Sequence, residues 1–190
     1  MKKLLLSLVV LTTLGCAEES VDTAGETVVP VATDATLVVA GGCFWCVESD
    51  FEKLSAVGDV LSGYAGGQSQ SPTYQNHSDH LEVVQIPYDS NAVSYRELVD
   101  YLLRHIDPLD AGGQFCDRGH SYTTAVFYST AEERAAAEAA LAEAEAVLGQ
   151  EVATQIIELD TFWIAEDYHQ DYYKKNPLRY KYYRNGCGRD

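Results

Sequence analysis

The chain has 190 residues, 46% hydrophobic and 11% aromatic, which supplies apolar material for one well-packed domain and little more. It carries 29 acidic against 13 basic residues, a formal charge of −16. That balance argues against nucleic acid as a partner and against a polybasic grip on anionic lipid, because both present negative charge.

Residues 1–15 divide into Met1-Lys2-Lys3 and an apolar run over positions 4–14, too short to span a bilayer as a helix but suited to a signal-peptide core. The run ends at Thr13-Leu14-Gly15-Cys16, which resembles the lipobox of bacterial lipoproteins, although Thr13 and Leu14 depart from its usual residues. The resemblance implies cleavage before Cys16, acylation of that residue, and an exported, lipid-anchored protein of the cell envelope facing the periplasm. Cleavage removes two lysines and leaves 11 basic against 29 acidic residues, a formal −18. Membrane attachment would then come from acyl chains alone. Residues 16–35, rich in Glu, Asp, Thr, Ala and Val without an apolar period, read as a tether, and residues 36–190 as the folded domain.

Positions 36–40 form a short apolar run, the pattern of a strand buried on both faces. Gly41-Gly42 turns it. From Cys43 onward Phe44, Val47, Phe51 and Leu54 recur at helical spacing, predicting a helix that ends before Gly58. Positions 63–79 read as a loop and 81–88 as a strand. Ser94 with Glu97 is a capping-box signature for a helix with an apolar face running to Ile106, stopped at Asp107-Pro108. A glycine-bearing loop follows at 111–121, then a strand at 123–128. Thr130 with Glu133 starts a Glu/Ala-rich helix to about Leu148 whose weak apolar face predicts a peripheral place. A further strand is predicted at 152–159, and a short helix near 166–174 within a long, aromatic, irregular C-terminal segment. Strands and helices alternate without regular crossover spacing, which predicts an α+β two-layer sandwich. Six of the basic residues fall in the last seventeen positions, and they are expected to pack against the acidic body.

Gly41-Gly42-Cys43-Phe44-Trp45-Cys46 is the most informative stretch. A thiol at a strand-to-helix turn lies among unpaired backbone N–H groups at the positive end of the helix dipole, so Cys43 is expected to have a lowered pKa and to act as a nucleophile. The Cys43/Cys46 spacing also admits a thioredoxin-like redox pair, a zinc site or a structural disulfide. The bulky Phe44-Trp45 insert, the absence of a second close cysteine pair and the loss of the nucleophile weigh against these in turn.

Gly42-Cys43-Phe44-Trp45 resembles the signature of the A-type peptide methionine sulfoxide reductases. The likeness continues through Gly63-Tyr64-Ala65-Gly66-Gly67, Pro72-Thr73-Tyr74, His80-Leu81-Glu82-Val83-Val84, Tyr88-Asp89, Asp107-Pro108 and Ala165-Glu166-Asp167-Tyr168-His169-Gln170. It implies an α/β sandwich around a central mixed sheet with flanking helices. It also implies reduction of free or protein-bound methionine S-sulfoxide to methionine, as repair of oxidised exported proteins. The roles implied are Cys43 as nucleophile, Glu82 as a desolvated, neutral acid, Tyr74 and Tyr122 as donors to the sulfoxide oxygen, and Asp117 as an orienting residue. Phe44 and Trp45 are implied to cage the methyl group.

Attack would leave Cys43 as a sulfenic acid, which a second thiol condenses into an intramolecular disulfide. Cys187, on a glycine-flanked tail, is the preferred resolving residue by resemblance and Cys46 the alternative. Cys116 is expected to be a spectator, and His77, His80 and His120 structural or solvent-facing. The implied enzyme is a monomer with no bound metal or cofactor, recycled by a thioredoxin-like dithiol. A thiol-disulfide exchange protein of the cell envelope acting through Cys43 and Cys46 is the alternative function.

Overall fold

The computed structural model describes residues 31–189; the signal segment, Cys16 and most of the tether lie outside them. β1 (Ala35–Gly41) pairs antiparallel with β3 (Leu81–Tyr88) on one side and β6 (Thr124–Tyr128) on the other. β2 (Leu61–Ala65) and β8 (Trp163–Ile164) extend the sheet beyond β3, and β7 (Gln155–Glu158) joins β6 in parallel. The order β7-β6-β1-β3-β2-β8 is the expected mixed sheet.

β1 is buried on both faces because successive side chains serve different layers. Leu37 and Val39 join the main core with residues of α1 (Phe44–Phe51), α2 (Tyr95–Arg104) and α3 (Ala131–Leu148). Val38 and Ala40 face a smaller layer with Leu81, Val83 and Phe127, covered by Ile157, Leu159 and Phe162. Cys43 therefore follows closely on a central strand whose last five residues are buried, on a rigid base.

The capping box forms as expected: the Ser94 hydroxyl accepts from Glu97 N (3.2 Å) and the Glu97 carboxylate from Ser94 N (2.8 Å). Thr130 caps α3 and Gly149, at φ 68°, ends it. α3 buries only Ala137, Ala140 and Leu141, the peripheral placement its sequence indicates.

Three segments depart from expectation. β2 lies partly in the segment read as loop, because its interior Gly63 reads as a turn. In the fold that glycine is required: a Cβ there would run into Phe162 and the Trp163 carbonyl. The loop at 111–121 contains a small hairpin, β4 (Gly113–Gln114) with β5 (Asp117–Arg118), and a 3-10 turn at His120–Tyr122. The C-terminal segment is helical further along than expected, in α4 (Tyr172–Lys175) and α5 (Pro177–Gly186). α5 starts on proline at its first turn, and its mixed aromatic and cationic face gives no apolar period to read.

The C-terminal cations do meet the acidic body. Lys174 pairs with Glu52 (2.6 Å), and Arg184 (2.8 Å) and Arg189 (3.5 Å) converge on the buried Asp50. Next to them Glu48, 0% exposed, accepts from Asp171 N (2.8 Å) and the Ser62 hydroxyl (3.3 Å). Burial pushes its carboxyl up to about 7 from an ordinary 4.5. Between those values the unfolded chain ionises while the folded one stays protonated, so this group lowers stability as pH rises through the window. Glu48→Gln is expected to gain about 2 kcal/mol at pH 8 and almost nothing at pH 4, as read by urea unfolding.

Candidate active site

β1 delivers Gly41-Gly42-Cys43 to the start of α1. Gly42 has φ 85° and its backbone lies so close to Gln114 that a Cβ would come within 2.6 Å of the Gln114 Cβ. Only glycine fits there. Gln114 is fully buried and binds both the N–H and the carbonyl of Asp107 (2.8 Å each), fixing the loop that carries the neighbouring hairpin.

Cys43 is the N-cap of α1, but the first free amide of the helix serves another group: Phe44 N–H donates to Glu82 Oε2 at 3.1 Å. Glu82, 2% exposed on β3, is desolvated, and burial, opposed by the Phe44 amide and reinforced by the charge of Asp117, pushes its carboxyl up to about 8. The Glu82 acid is therefore neutral at pH 7. His77 Nε2 stands 3.8 Å from its other oxygen.

The expected lowering of the Cys43 pKa is corrected. Cys43 is 6% exposed, and burial, its hydrogen bond to Cys46 and the nearby Glu82 carboxyl push its thiol well up. The helix-terminal amide that was to stabilise its thiolate is spent on Glu82. The anion of the pair sits on Cys46 instead, which the Cys43 hydrogen bond and the Arg189 and Arg184 charges bring down to about 7 against the opposing effect of burial. Of the two adjacent sulfurs, Cys46 is the one that ionises more readily.

A cavity of about 120 Å³ opens beside Cys43, lined by Cys43, Phe44, Trp45, Tyr74, Glu82, Asp117 and Tyr122, with Tyr183 as an eighth member. Residues from the β1–α1 turn, α1, the loop holding Tyr74, β3, β5, the 3-10 turn and α5 converge there. The Tyr122 hydroxyl reaches both Tyr74 and Glu82, and burial raises both phenols, so the two tyrosines remain protonated donors. Asp117 accepts a short hydrogen bond from Tyr183. Trp45 stacks on Tyr172 with ring centres 3.7 Å apart and 8° between planes, and its Nε1–H donates to His169 Nδ1 (3.1 Å). That bond places the His169 proton on Nε2 and fixes the indole as one wall.

Comparison with known proteins agrees with this arrangement. The family profile described as peptide methionine sulfoxide reductase matches residues 35–190. The chain belongs to this family. It is 52% identical over 155 residues to peptide methionine sulfoxide reductase MsrA 2 of Rhizobium meliloti (strain 1021), covering 80% of this chain and 78% of that protein. It is 44% identical over 161 residues to MsrA of Bacillus licheniformis, covering 80% and 87%. Among solved structures, Mxr1 of Saccharomyces cerevisiae in reduced form aligns with a TM-score of 0.72 at 29% identity, over 76% of this chain and 87% of that one. Methionine sulfoxide reductase A of Corynebacterium diphtheriae aligns at 0.67 and 29%, over 75% of each.

Within this methionine sulfoxide reductase the remaining cysteines need a correction. Cys116, expected to be a spectator, is bonded to Cys187 with Cα atoms 5.0 Å apart. Cys187 is accordingly not the free thiol next to Cys43; that thiol is Cys46, and both stay unpaired. His77 and His80 are buried and not solvent-facing: His80 accepts from Gly67 N (3.2 Å), and His77 stacks on Tyr64 (4.8 Å) while bonding the Thr73 carbonyl. His120 is exposed.

Tyr183, Tyr172 and His169 are site residues that sequence reasoning gave no role. His169 lay within a matched motif, whereas the two tyrosines were hidden among the thirteen of the chain. Among the described residues, two acidic or sulfur clusters have the spacing of metal ligands. In one, Cys116 and Cys187 are already joined to each other, and in the other Glu48, Glu52 and Asp171 are taken up by Lys174, Tyr173, Ser62 and backbone.

Proposed function

We propose that this chain reduces the S epimer of methionine sulfoxide, free or in proteins, at the cavity beside Cys43. One observation carries the reading: a cysteine sulfur, a neutral buried carboxyl and two phenol donors face a single small cavity with an aromatic wall. Sulfoxide reduction requires a nucleophile at sulfur and a proton at oxygen, because oxide does not leave unprotonated. As Cys43 approaches the sulfoxide sulfur its proton passes to Cys46, whose lowered pKa marks it as the neighbouring base. Glu82 protonates the oxygen while Tyr74 and Tyr122 hold it. Methionine departs and the oxygen remains on Cys43 as a sulfenic acid.

Cys46 then attacks that sulfur, water leaves, and a Cys43–Cys46 disulfide forms. This assigns resolution to Cys46 in preference to Cys187, because Cys46 is the free neighbour and Cys187 is bonded elsewhere. A thioredoxin-like dithiol restores the thiols, with no bound metal or cofactor in the cycle. Asp117 orients the site through Tyr183, and Phe44 and Trp45 form the methyl-binding wall that favours one epimer. Residues 1–16 support an exported, lipid-anchored enzyme of the cell envelope that repairs oxidised exported proteins.

The test is turnover of each epimer of dabsyl-methionine sulfoxide with dithiothreitol as reductant. Conversion of the S epimer alone is expected, and conversion of neither overturns the proposal. Tyr74→Phe and Tyr122→Phe are each expected to lower kcat about tenfold to a hundredfold, and the double change more than either. Trp45→Ala is expected to act chiefly on KM, raising it about tenfold, because it removes an apolar wall that holds substrate and transition state alike.

A further inference from the structure

The two phenol donors of the cavity are held differently. Tyr122 is half-buried, whereas Tyr74 is 43% exposed, and positions 68–71 and 73–76 of its loop are exposed throughout. Burial alone does not fix such a segment. The Tyr74 ring rests against His77 and His169, with centres 5.6 and 4.8 Å away, contacts that orient a ring without fixing its backbone. A carboxylate from the body of the domain reaches that backbone directly. Glu166 accepts from the Tyr74 N–H through Oε1 (3.1 Å) and from the hydroxyl of the fully buried Tyr64 of β2 through Oε2 (3.1 Å). Glu166 itself stands on a fixed base. Its neighbour Ala165 is buried with its N–H on the Ser62 carbonyl (3.0 Å), and Gln170 bonds both the N–H and the carbonyl of Ser62 (2.9 Å each), so residues 165–170 are tied to the central sheet. Partial burial opposes ionisation of Glu166, but its own amide, the Tyr74 amide, the Tyr64 hydroxyl and the nearby His169 outweigh it and hold the carboxyl below its ordinary 4.5. At neutral pH it is a carboxylate, able to accept from each of these donors.

Resting on the catalytic reading above, we propose that Glu166 is a positioning residue for sulfoxide reduction: by gripping the Tyr74 amide from a segment fixed to β2, it holds the Tyr74 hydroxyl where the sulfoxide oxygen gains its proton. Glu166 touches no substrate, since Tyr74 lines the cavity and Glu166 does not, and it acts through Tyr74. A hydroxyl donor stabilises a transition state only when its place is set beforehand, and a displacement of about 1 Å costs up to about 10²-fold. A second, longer connection runs to the aromatic wall. His169 Nε2, which has no hydrogen-bond partner among the described residues, stands 3.9 Å from Glu166 Oε2, and its Nδ1 holds the Trp45 indole. The wall binds substrate and transition state alike, so action through Trp45 falls on KM, whereas action through Tyr74 falls on kcat.

The test is a double-mutant cycle on the full chain, read as kcat and KM for methionine S-sulfoxide with dithiothreitol. Glu166→Ala is expected to lower kcat about tenfold while KM changes less than about threefold. Glu166→Gln, whose amide oxygen still accepts from the Tyr74 N–H, is expected to lose less than about threefold. Glu166→Asp keeps the charge but draws the acceptor back by one methylene, about 1.5 Å, and is expected to lose about fivefold. In Tyr74→Phe chains no hydroxyl remains to be placed, so Glu166→Ala and Glu166→Asp are each expected to cost less than about twofold there. Urea unfolding shows whether each variant is folded at the assay temperature, and Glu166→Asp carries the same cycle if Glu166→Ala is not. A loss that persists undiminished in the Tyr74→Phe background overturns action through Tyr74. So does a loss confined to KM, which assigns Glu166 to the Trp45 wall, and so does a Glu166→Gln chain as impaired as Glu166→Ala. In each of these cases a parent chain that still turns over leaves the catalytic reading in place. A parent chain that reduces no sulfoxide, or a Tyr74→Phe chain with undiminished kcat, overturns the corresponding part of that reading and the role of Glu166 with it.

Discussion

Cys43→Ser is expected to lower kcat/KM for methionine S-sulfoxide by about 10⁴-fold or more while leaving the fold in place. A serine hydroxyl matches the thiol closely in size but lacks its nucleophilicity, and no neighbouring group replaces it. Cys46 hydrogen-bonds Cys43 and Tyr180 and is drawn toward Arg184 and Arg189, but it does not line the cavity that Cys43 lines. A Cys43→Ser enzyme retaining more than about one per cent of parent turnover would place the nucleophile elsewhere. Far-ultraviolet circular dichroism separates this from unfolding.

Glu82→Gln is expected to lower kcat about 10²-fold to 10³-fold, because the amide keeps the hydrogen bond from Phe44 N but has no acidic proton to give. The pH profile carries the sharper information. Activity needs the anion of the sulfur pair, formed as pH rises through about 7 on Cys46, and needs the Glu82 proton, lost as pH rises through about 8. The parent profile of kcat/KM is therefore a narrow bell. Glu82→Gln is expected to lose the alkaline limb and keep the acidic one. An alkaline limb that persists unchanged in the variant would assign the general acid to another residue.

The distribution of charge in this site has a simple cause. A helix N-terminus is a good place for a thiolate when its amides are free, and the sequence Gly-Gly-Cys-Phe-Trp leads naturally to that expectation. Here the first amide of the helix is bound to the Glu82 carboxyl, and Cys43 lies buried between that carboxyl and a second thiol. Keeping Glu82 neutral and Cys43 protonated avoids two buried negative charges side by side. The proton that must leave Cys43 has a nearby destination in Cys46, whose anion two guanidinium groups from the C-terminal helix support.

Much of the fold was legible where local chemistry and burial agreed. β1 and the two capped helices announce themselves, by a continuous apolar run in one case and by Ser94/Glu97 and Thr130/Glu133 in the others. The residues around the cavity were found through motif resemblance, since nothing in the spacing of Tyr74, Glu82 and Tyr122 says that their side chains meet. β2 was obscured by Gly63, a residue needed for the close approach of Phe162, and α5 by a run of tyrosines and cations without apolar period. The Cys116–Cys187 bond links positions 71 residues apart, and no local signal distinguishes it from other pairings. The Arg184–Asp50–Arg189 cluster shows why the basic C-terminus was nonetheless readable in outline: its charge, opposite to that of the body, required acidic partners.

The most direct measurement is chemical trapping of the oxidised sulfur. A Cys46→Ser chain, prepared with its Cys116–Cys187 bond intact, is given one equivalent of methionine S-sulfoxide in the presence of dimedone and digested for mass spectrometry. One dimedone adduct, on Cys43, in step with methionine release is the expected result; methionine released with no adduct on Cys43, or with the label on another residue, would contradict attack by that sulfur.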